Sequence, residues 1–304
     1  MNITAFFLIA FSAILHASWN LVAKRSKMTL SFYTIIGCTA CLFWIHVQFW
    51  TPVNVFALPK MFYLFMGGSV LFDILYCLGL IRAYRTMEMS TAYPMMRSLP
   101  ILLTAAVTTL LGLGTRLSVL AMLGMVVVFV GCMIMPLQDF KHFNSRDYFN
   151  RKWFFIFLVA CGTTGYTILD KQAQTVLART QEYCDLSKVV LSLTFYSTRS
   201  VCLSSSLLLI ALLTPGERRN FLEILREKKA MAFLAGLFAS MTYATVLLAM
   251  NYVDNVSYVQ VFRQLGLIFG MAGGILILKE RCSLPKCVGV ILILTGLVMT
   301  VLKF

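Results

Sequence analysis

The sequence predicts an all-α integral membrane protein with ten transmembrane helices in a 5+5 inverted repeat. The chain is 60% hydrophobic and 12% charged, whereas soluble domains carry about 25% charged residues. Its apolar residues form ten runs, each near the ~20 residues that cross a bilayer as a helix. A pattern of one alanine, one acidic residue and one arginine also recurs after 166 residues, at Ala83, Glu88 and Arg97 and again at Ala249, Asp254 and Arg263.

Each run is bounded by a short polar or glycine-containing break. The first run is followed by Lys24, Arg25 and Lys27 and lacks a basic start and a cleavage site, so it is predicted to be a span and not a signal peptide. Asp170 and Lys171 close the sixth. In order, the predicted spans cover 3–23, 30–50, 61–83, 90–111, 116–136, 153–171, 188–213, 231–251, 256–278 and 284–302.

The repeat divides the chain into two units. Residues 1–136 form the first five-helix repeat, 137–152 a connecting loop, and 153–304 the second repeat. Because each half has an odd number of spans, sequential insertion gives the halves opposite orientations, related by a pseudo-two-fold axis in the membrane plane. Such repeats usually build a transport pathway between the halves.

Charge predicts the orientation. Most lysines and arginines lie in the odd-numbered breaks between spans, which places these breaks in the cytoplasm and both termini outside the inner (plasma) membrane. The net charge of +14 is attributed to attraction to anionic lipid headgroups and not to nucleic acid, because there is no basic tail.

Placing a charged side chain inside a membrane span costs free energy, so each such residue is expected to have a functional or structural role. Arg97 and Arg263, related by the repeat, are expected to hold the anionic group of a solute through paired hydrogen bonds. The alternative is that they bond to carbonyls of neighbouring spans. Asp73 is predicted to carry a coupling proton or bind a substrate amine, or else to form a structural ion pair with an arginine of the bundle. Arg199 is predicted to lie outside the pathway.

Other polar residues share helix faces with these. His16 is a second candidate for coupling, with helix packing as the alternative, and Trp19 and Asn20 lie on its face of the first span. Trp19 and Tyr166 also match across the repeat, with an interfacial anchor as the alternative for the tryptophan. The complete predicted substrate-binding set is Arg97, Arg263, Trp19, Asn20, Tyr76, Tyr93, Tyr166, Tyr243, Tyr258, Gln260 and Gln264.

The opening run from Leu15 to Lys24, LHASWNLVAK, resembles the first helix of EamA-type members of the drug/metabolite transporter superfamily, and the run from Leu278 to Ser283, LKERCS, resembles the segment between their last two spans. The resemblance implies a 5+5 inverted repeat around a central cavity, and exporters or facilitators of amino acids, other metabolites or drugs. Thr115 stands where the family has a glutamate, whereas the second-half equivalent, Glu280, is present.

These observations predict a transporter, with export as the expected direction, of an amino acid or a related carboxylate or phosphonate, by alternating access. No nucleotide-binding, hydrolase or metalloprotease motif appears, so no catalytic residue, metal or cofactor is expected. An intramembrane enzyme and a membrane scaffold or receptor remain the alternatives. Glycine pairs in the fifth span (Gly124, Gly131) and tenth span (Gly289, Gly296) favour close helix packing, within the chain or in a homodimer.

Overall fold

The computed structural model describes residues 2–23, 29–87, 89–135, 137, 139–140, 152–227, 230–278 and 283–302, which form helices and turns without a β-strand. In chain order the helices are α1 (Ile3–Ala23), α2 (Leu30–Trp44), α3 (Val47–Trp50), α4 (Lys60–Thr86), α5 (Met89–Leu110), α6 (Val119–Ile134), α7 (Trp153–Arg179), α8 (Lys188–Leu213), α9 (Pro215–Arg226), α10 (Ala230–Met250), α11 (Ser257–Phe262), α12 (Leu265–Leu278) and α13 (Leu284–Val301).

The helices are those of a multi-pass membrane protein, as predicted. Large apolar side chains remain open on the outer surface, with Leu42, Leu64 and Leu71 between 64% and 74% exposed, which suits contact with lipid. Two shorter helical stretches, Ile3–Ser18 and Val119–Ile134, are also apolar. Within the described residues, seven stretches are long and apolar enough to cross a bilayer: Leu30–Trp50, Lys60–Thr86, Trp153–Arg179, Lys188–Leu213, Ala230–Met250, Ser257–Leu276 and Leu284–Val301.

The sixth span is longer than predicted. The sequence places its end at residue 171, but α7 continues to Arg179. Asp170 is therefore fully buried instead of lying at the membrane surface. Lys171 donates hydrogen bonds from Nζ to the carbonyls of Met250 (2.7 Å) and Val253 (3.0 Å). Both polar side chains are satisfied inside the bundle, so they do not end the helix.

The predicted ninth span is interrupted at its polar centre. Helix α11 ends at Phe262 and α12 begins at Leu265. Between them, the backbone N–H of Gln264 donates to the Val261 carbonyl (3.1 Å), and the backbone N–H of Leu267 donates to the backbone carbonyl of Gln264 (2.9 Å). These i→i−3 bonds tighten the turn and free backbone groups that a regular α-helix would use.

Glycines set the close helix contacts. A Cβ on Gly162 of α7 would lie 2.7 Å from the backbone nitrogen of Tyr76 on α4. A Cβ on Gly124 of α6 would lie 2.6 Å from the carbonyl oxygen of Gly296, and one on Gly131 would lie 2.8 Å from that of Gly289. The glycines of α6 and α13 therefore face each other within one chain, which is the first of the two alternatives considered for them.

Helix α9 lies between the end of α8 and the start of α10, in a break that the sequence analysis leaves without structure. Its buried Phe221 packs in an apolar cluster with Phe32 and Ile35 of α2. The Glu217 carboxylate accepts a hydrogen bond from the Ser31 backbone amide (2.9 Å) and pairs with Arg85 at 3.6 Å. The helix thus ties the end of α8 to the ends of α2 and α4.

Candidate functional site

The interior of the bundle contains a cavity of about 150 Å³. Helices α1, α2, α4, α7, α8 and α10 and the α11–α12 junction contribute its walls. Its position where the polar side chains of several spans converge is the place expected for a ligand in a membrane bundle. The predicted site residues that line it are His16, Asp73, Tyr76, Tyr166, Tyr243 and Arg263.

A smaller cavity of about 40 Å³ adjoins the first. His16, Tyr76, Tyr166 and Arg263 line both cavities, so the two are neighbouring compartments of one site. The smaller compartment adds Tyr93, Arg97 and Gln260, all three from the predicted substrate-binding set.

The side chain of one repeat-related arginine bonds to the backbone of the other. Arg97 donates from Nη2 to the carbonyl of Arg263 at 2.5 Å, and the same carbonyl also accepts the backbone N–H of Gly266 at 3.2 Å. The side chain of Gln264 in turn donates from Nε2 to the Arg97 carbonyl at 3.0 Å. The carbonyl alternative for Arg97 is therefore observed, and the same bonds hold the guanidinium groups of Arg97 and Arg263 beside the smaller compartment.

Among the described residues, no carboxylate forms an ion pair with either arginine of this pair. The ion pairs there join Arg85 to Glu217, and Arg199 to Asp73 and Asp170. Arg263 is 9% exposed, its Nη1 lies 3.4 Å from the side-chain oxygen of Gln260, and its guanidinium also interacts with the side chain of Tyr166. The Nε of Arg97 and the hydroxyl of Tyr33, both buried, have no hydrogen-bond partner among the described residues. Such donors are costly when unmet, so this compartment is suited to an acceptor supplied by a ligand.

Asp73 pairs with Arg199, which is the structural alternative considered for it. Arg199 of α8 donates from Nη2 to Asp73 Oδ2 of α4 (2.8 Å) and from Nε to Asp170 Oδ1 of α7 (3.0 Å). Arg199, whose span is expected to lie outside the pathway, has the structural ion pairs predicted for it and also lines the larger compartment. The three residues form an ion triad in the cavity wall.

Four tyrosines form a row of edge-to-face contacts along the larger compartment. Centroid distances are 5.8 Å from Tyr76 to Tyr166, 5.7 Å from Tyr166 to Tyr243 and 6.1 Å from Tyr243 to Tyr196. The Arg199 guanidinium lies 5.1 Å from the Tyr243 ring centre, within cation–π range. His16 Nε2 lies 3.1 Å from the Tyr93 hydroxyl, which links α1 to α5.

The structure does not bring every predicted residue to this site. Tyr258 lies at a separate cavity of about 630 Å³ with Arg116 and Asp254. Gln264 is fully buried and supports the wall through hydrogen bonds to backbone carbonyls. The side chains of Trp19 and Asn20 lie outside the described residues.

At the face of the bundle where α5 and α10 end, the end of α5 and the segment after it contact the segment after α10. The hydroxyls of Thr108 and Ser257 lie 2.9 Å apart. Asn255 donates from Nδ2 to the Thr115 carbonyl at 3.0 Å. A Cβ on Gly114, whose φ is +79°, would lie 2.4 Å from the Asp254 carbonyl oxygen, so glycine is needed there for both conformation and space.

Two cavity residues, Arg199 and Tyr33, are missed from the sequence, and so is Asp170, which is buried behind the cavity wall as a partner of Arg199. Asp170 is hidden by its neighbour Lys171, because two adjacent charges suggest the end of a span. The helix itself does not end at Asp170 and Lys171: α7 continues to Arg179, so these two charges lie within it. Arg199 can be found by asking which basic residue balances two intramembrane aspartates.

Comparison with known proteins agrees with the membrane and transporter assignment. Residues 184–302 match the sequence model of the EamA-like transporter family, which is consistent with an EamA-type member of the drug/metabolite transporter superfamily. A solved crystal structure shares the fold, with a TM-score of 0.64 and 13% sequence identity over 99% of this chain and 98% of that chain. No curated protein matches the sequence. The family match indicates a membrane transporter of small molecules.

Proposed function

We propose that this multi-pass membrane protein, whose residues 184–302 carry the EamA-like signature, moves a small organic anion across the membrane by alternating access, as a secondary active or facilitative transporter. The observation that carries the proposal is the Arg97–Arg263 pair. Both guanidinium groups line the smaller compartment, and no carboxylate among the described residues pairs with either.

The charges around the cavity favour a ligand with one negative charge. Arg97, Arg199 and Arg263 supply three positive charges, and Asp73 and Asp170 supply two negative ones. One positive charge is therefore unmatched in a poorly solvated region, where an uncompensated charge is costly. A monoanion bound between Arg97 and Arg263 neutralises it through charge-assisted hydrogen bonds.

The two compartments suit the two ends of such a solute. The anionic group takes the compartment of Arg97, Arg263 and the unpartnered Tyr33 hydroxyl. The apolar body lies in the larger compartment against Tyr76 and Tyr166. Amino acids and related carboxylates or phosphonates have this chemistry.

The helix packing supports the 5+5 inverted repeat of residues 1–136 and 153–304. Helix α1 packs on α10 as its repeat equivalent α7 packs on α4, and α1 packs on α12 as α7 packs on α5. The repeat equivalents α2 and α8 contact each other, as do α6 and α13. Two related halves that share one central site can rock about it, which is the usual geometry of alternating access.

The face where α5 and α10 end gives a direction to the proposal. If the odd-numbered breaks are cytoplasmic, the contacts of Thr108 with Ser257 and of Thr115 with Asn255 seal the external side of the inner membrane. The cavity then loads from the cytoplasm, as an exporter requires. Opening the seal requires the α5–α6 loop to separate from the α10–α11 loop.

A thermal-shift screen of purified protein against metabolites tests the ligand class. We expect amphipathic monoanions to raise the melting temperature, because a ligand at a hundredfold excess over its Kd stabilises the folded state by about 2.7 kcal/mol. Arg263→Gln should reduce the shift, whereas Arg116→Gln, at the separate cavity, should retain it in full. Stabilisation by cations alone, or equal shifts in all three proteins, would contradict the proposed ligand.

A further inference from the structure

The ion triad in the cavity wall is asymmetric. Asp170 is fully buried and accepts hydrogen bonds from three side chains: the Ser69 hydroxyl, Arg199 Nε at 3.0 Å and the Tyr243 hydroxyl at 2.5 Å. Asp73 is 14% exposed and lines the larger compartment. Its Oδ2 accepts from Arg199, and its Oδ1 meets only the Cys77 thiol, at 3.9 Å.

Because of this asymmetry, two nitrogen atoms of the Arg199 guanidinium have partners in different surroundings. Its Nε is committed to Asp170 deep in the wall, whereas its Nη2 is held by the carboxylate that solutes and water in the cavity can reach. Neutralising Asp73 therefore leaves Arg199 fixed on α8 and α7 but frees Nη2. Arg199 already lines the cavity and its Nη2 is held by the cavity-lining Asp73, so little movement is needed to present this nitrogen to a ligand.

We propose that Asp73 and Arg199 form a proton-dependent anion switch, in which a proton from the cavity binds Asp73 Oδ2 and hands Arg199 Nη2 over to the transported anion. The inference rests on the proposed transport function and adds Arg199 as a third anion-binding residue. The proton comes from cavity water, and no covalent bond of the solute changes. By reciprocity, binding of the proton and binding of the anion strengthen each other, which couples proton movement to anion movement.

Other titratable groups face the same space and must be separated from Asp73. Histidine ordinarily changes charge between about pH 5 and about pH 8, so His16 is the main competitor. The titratable or charged side chains around Asp73 come from all packed elements, namely His16, Tyr33, Tyr76, Cys77, Tyr166, Asp170, Tyr196, Arg199, Tyr243 and Arg263.

Infrared difference spectroscopy of the reconstituted full chain tests the protonation step without a ligand. Lowering the pH from about 8 to about 5 should produce a carboxylic acid C=O band in the wild type and in His16→Gln. The band should be smaller in Asp73→Asn, where only the other carboxyl groups, ordinarily with pKa values of about 4, contribute. Equal bands in the wild type and Asp73→Asn would overturn the proposal.

Labelling with the arginine reagent phenylglyoxal, measured by mass spectrometry at one pH, tests the handover. In Asp73→Asn, labelling of Arg199 relative to Arg263 should rise severalfold, because asparagine imitates the protonated aspartic acid. Asp73→Ser, a second neutral variant, should behave alike, and melting temperatures will confirm that both fold. Unchanged labelling of Arg199 refutes the handover. It leaves the transporter proposal standing, since neither measurement depends on transport.

Discussion

Replacing Arg199 by methionine is expected to lower the free energy of unfolding by about 3–5 kcal/mol, the range for removing one partner of a buried ion pair. The arginine side chain is 2% exposed and bridges three helices through Asp73 and Asp170. Its removal leaves the fully buried Asp170 carboxylate without its positive partner. Unfolding in mixed micelles, followed by circular dichroism, measures the loss.

Two further variants distinguish the triad from general packing. Arg218→Met replaces an exposed arginine on α9 and should change stability by no more than about 0.5 kcal/mol, as is usual for surface substitutions. Asp73→Asn should cost less than Arg199→Met, because the Arg199–Asp170 bond remains. A loss below about 1 kcal/mol for Arg199→Met would show that the triad does not stabilise the bundle as described.

Arg263→Gln is expected to weaken binding of the transported anion by about 1.5–3 kcal/mol, the range for a hydrogen bond to a charged group. This corresponds to roughly a tenfold to hundredfold rise in Kd. Arg263 is the more informative of the two related arginines, because its guanidinium contacts the side chains of Gln260 and Tyr166 and, among the described residues, no backbone carbonyl of the α11–α12 junction. Arg97 also bonds to the Arg263 carbonyl, so Arg97→Gln disturbs the α11–α12 junction as well. Isothermal titration calorimetry gives the Kd values.

Arg116→Gln is the matched control for this effect, since Arg116 lies at the separate cavity with Tyr258. Its Kd for the anion should equal that of the wild type. Equal Kd values for Arg263→Gln and Arg116→Gln would mean that the anionic group does not bind beside Arg263.

The membrane class and several polar cavity residues could be predicted from the sequence, because both depend on strong signals. Lipid excludes polar backbone and side chains, so apolar runs identify helices, and an ionisable residue inside a run stands out. His16, Asp73 and Arg263 are recognised in this way and Tyr166 by its match to Trp19 across the repeat, and the structure places all four around one cavity.

The errors arise where tertiary contacts override a local rule. Asp170 and Lys171 resemble the end of a span, yet Arg199 and the Met250 carbonyl satisfy them within the bundle. The interruption of the ninth span coincides with two hydrogen bonds to α5, from Arg97 Nη2 to the Arg263 carbonyl and from Gln264 Nε2 to the Arg97 carbonyl. No window of hydropathy contains those contacts, so the sequence alone suggests a continuous helix.

Counterflow in liposomes tests whether the protein transports an anion through the cavity of Arg97 and Arg263. Purified protein is reconstituted in vesicles loaded with the anion that most stabilises it, and a trace of the same labelled anion is added outside. We expect vesicles with the wild-type protein to accumulate the label transiently. At the same concentrations, vesicles with Arg263→Gln should accumulate about as much label as protein-free vesicles. Absence of accumulation by the wild type, or equal accumulation by both proteins, would contradict anion transport through the Arg97–Arg263 cavity.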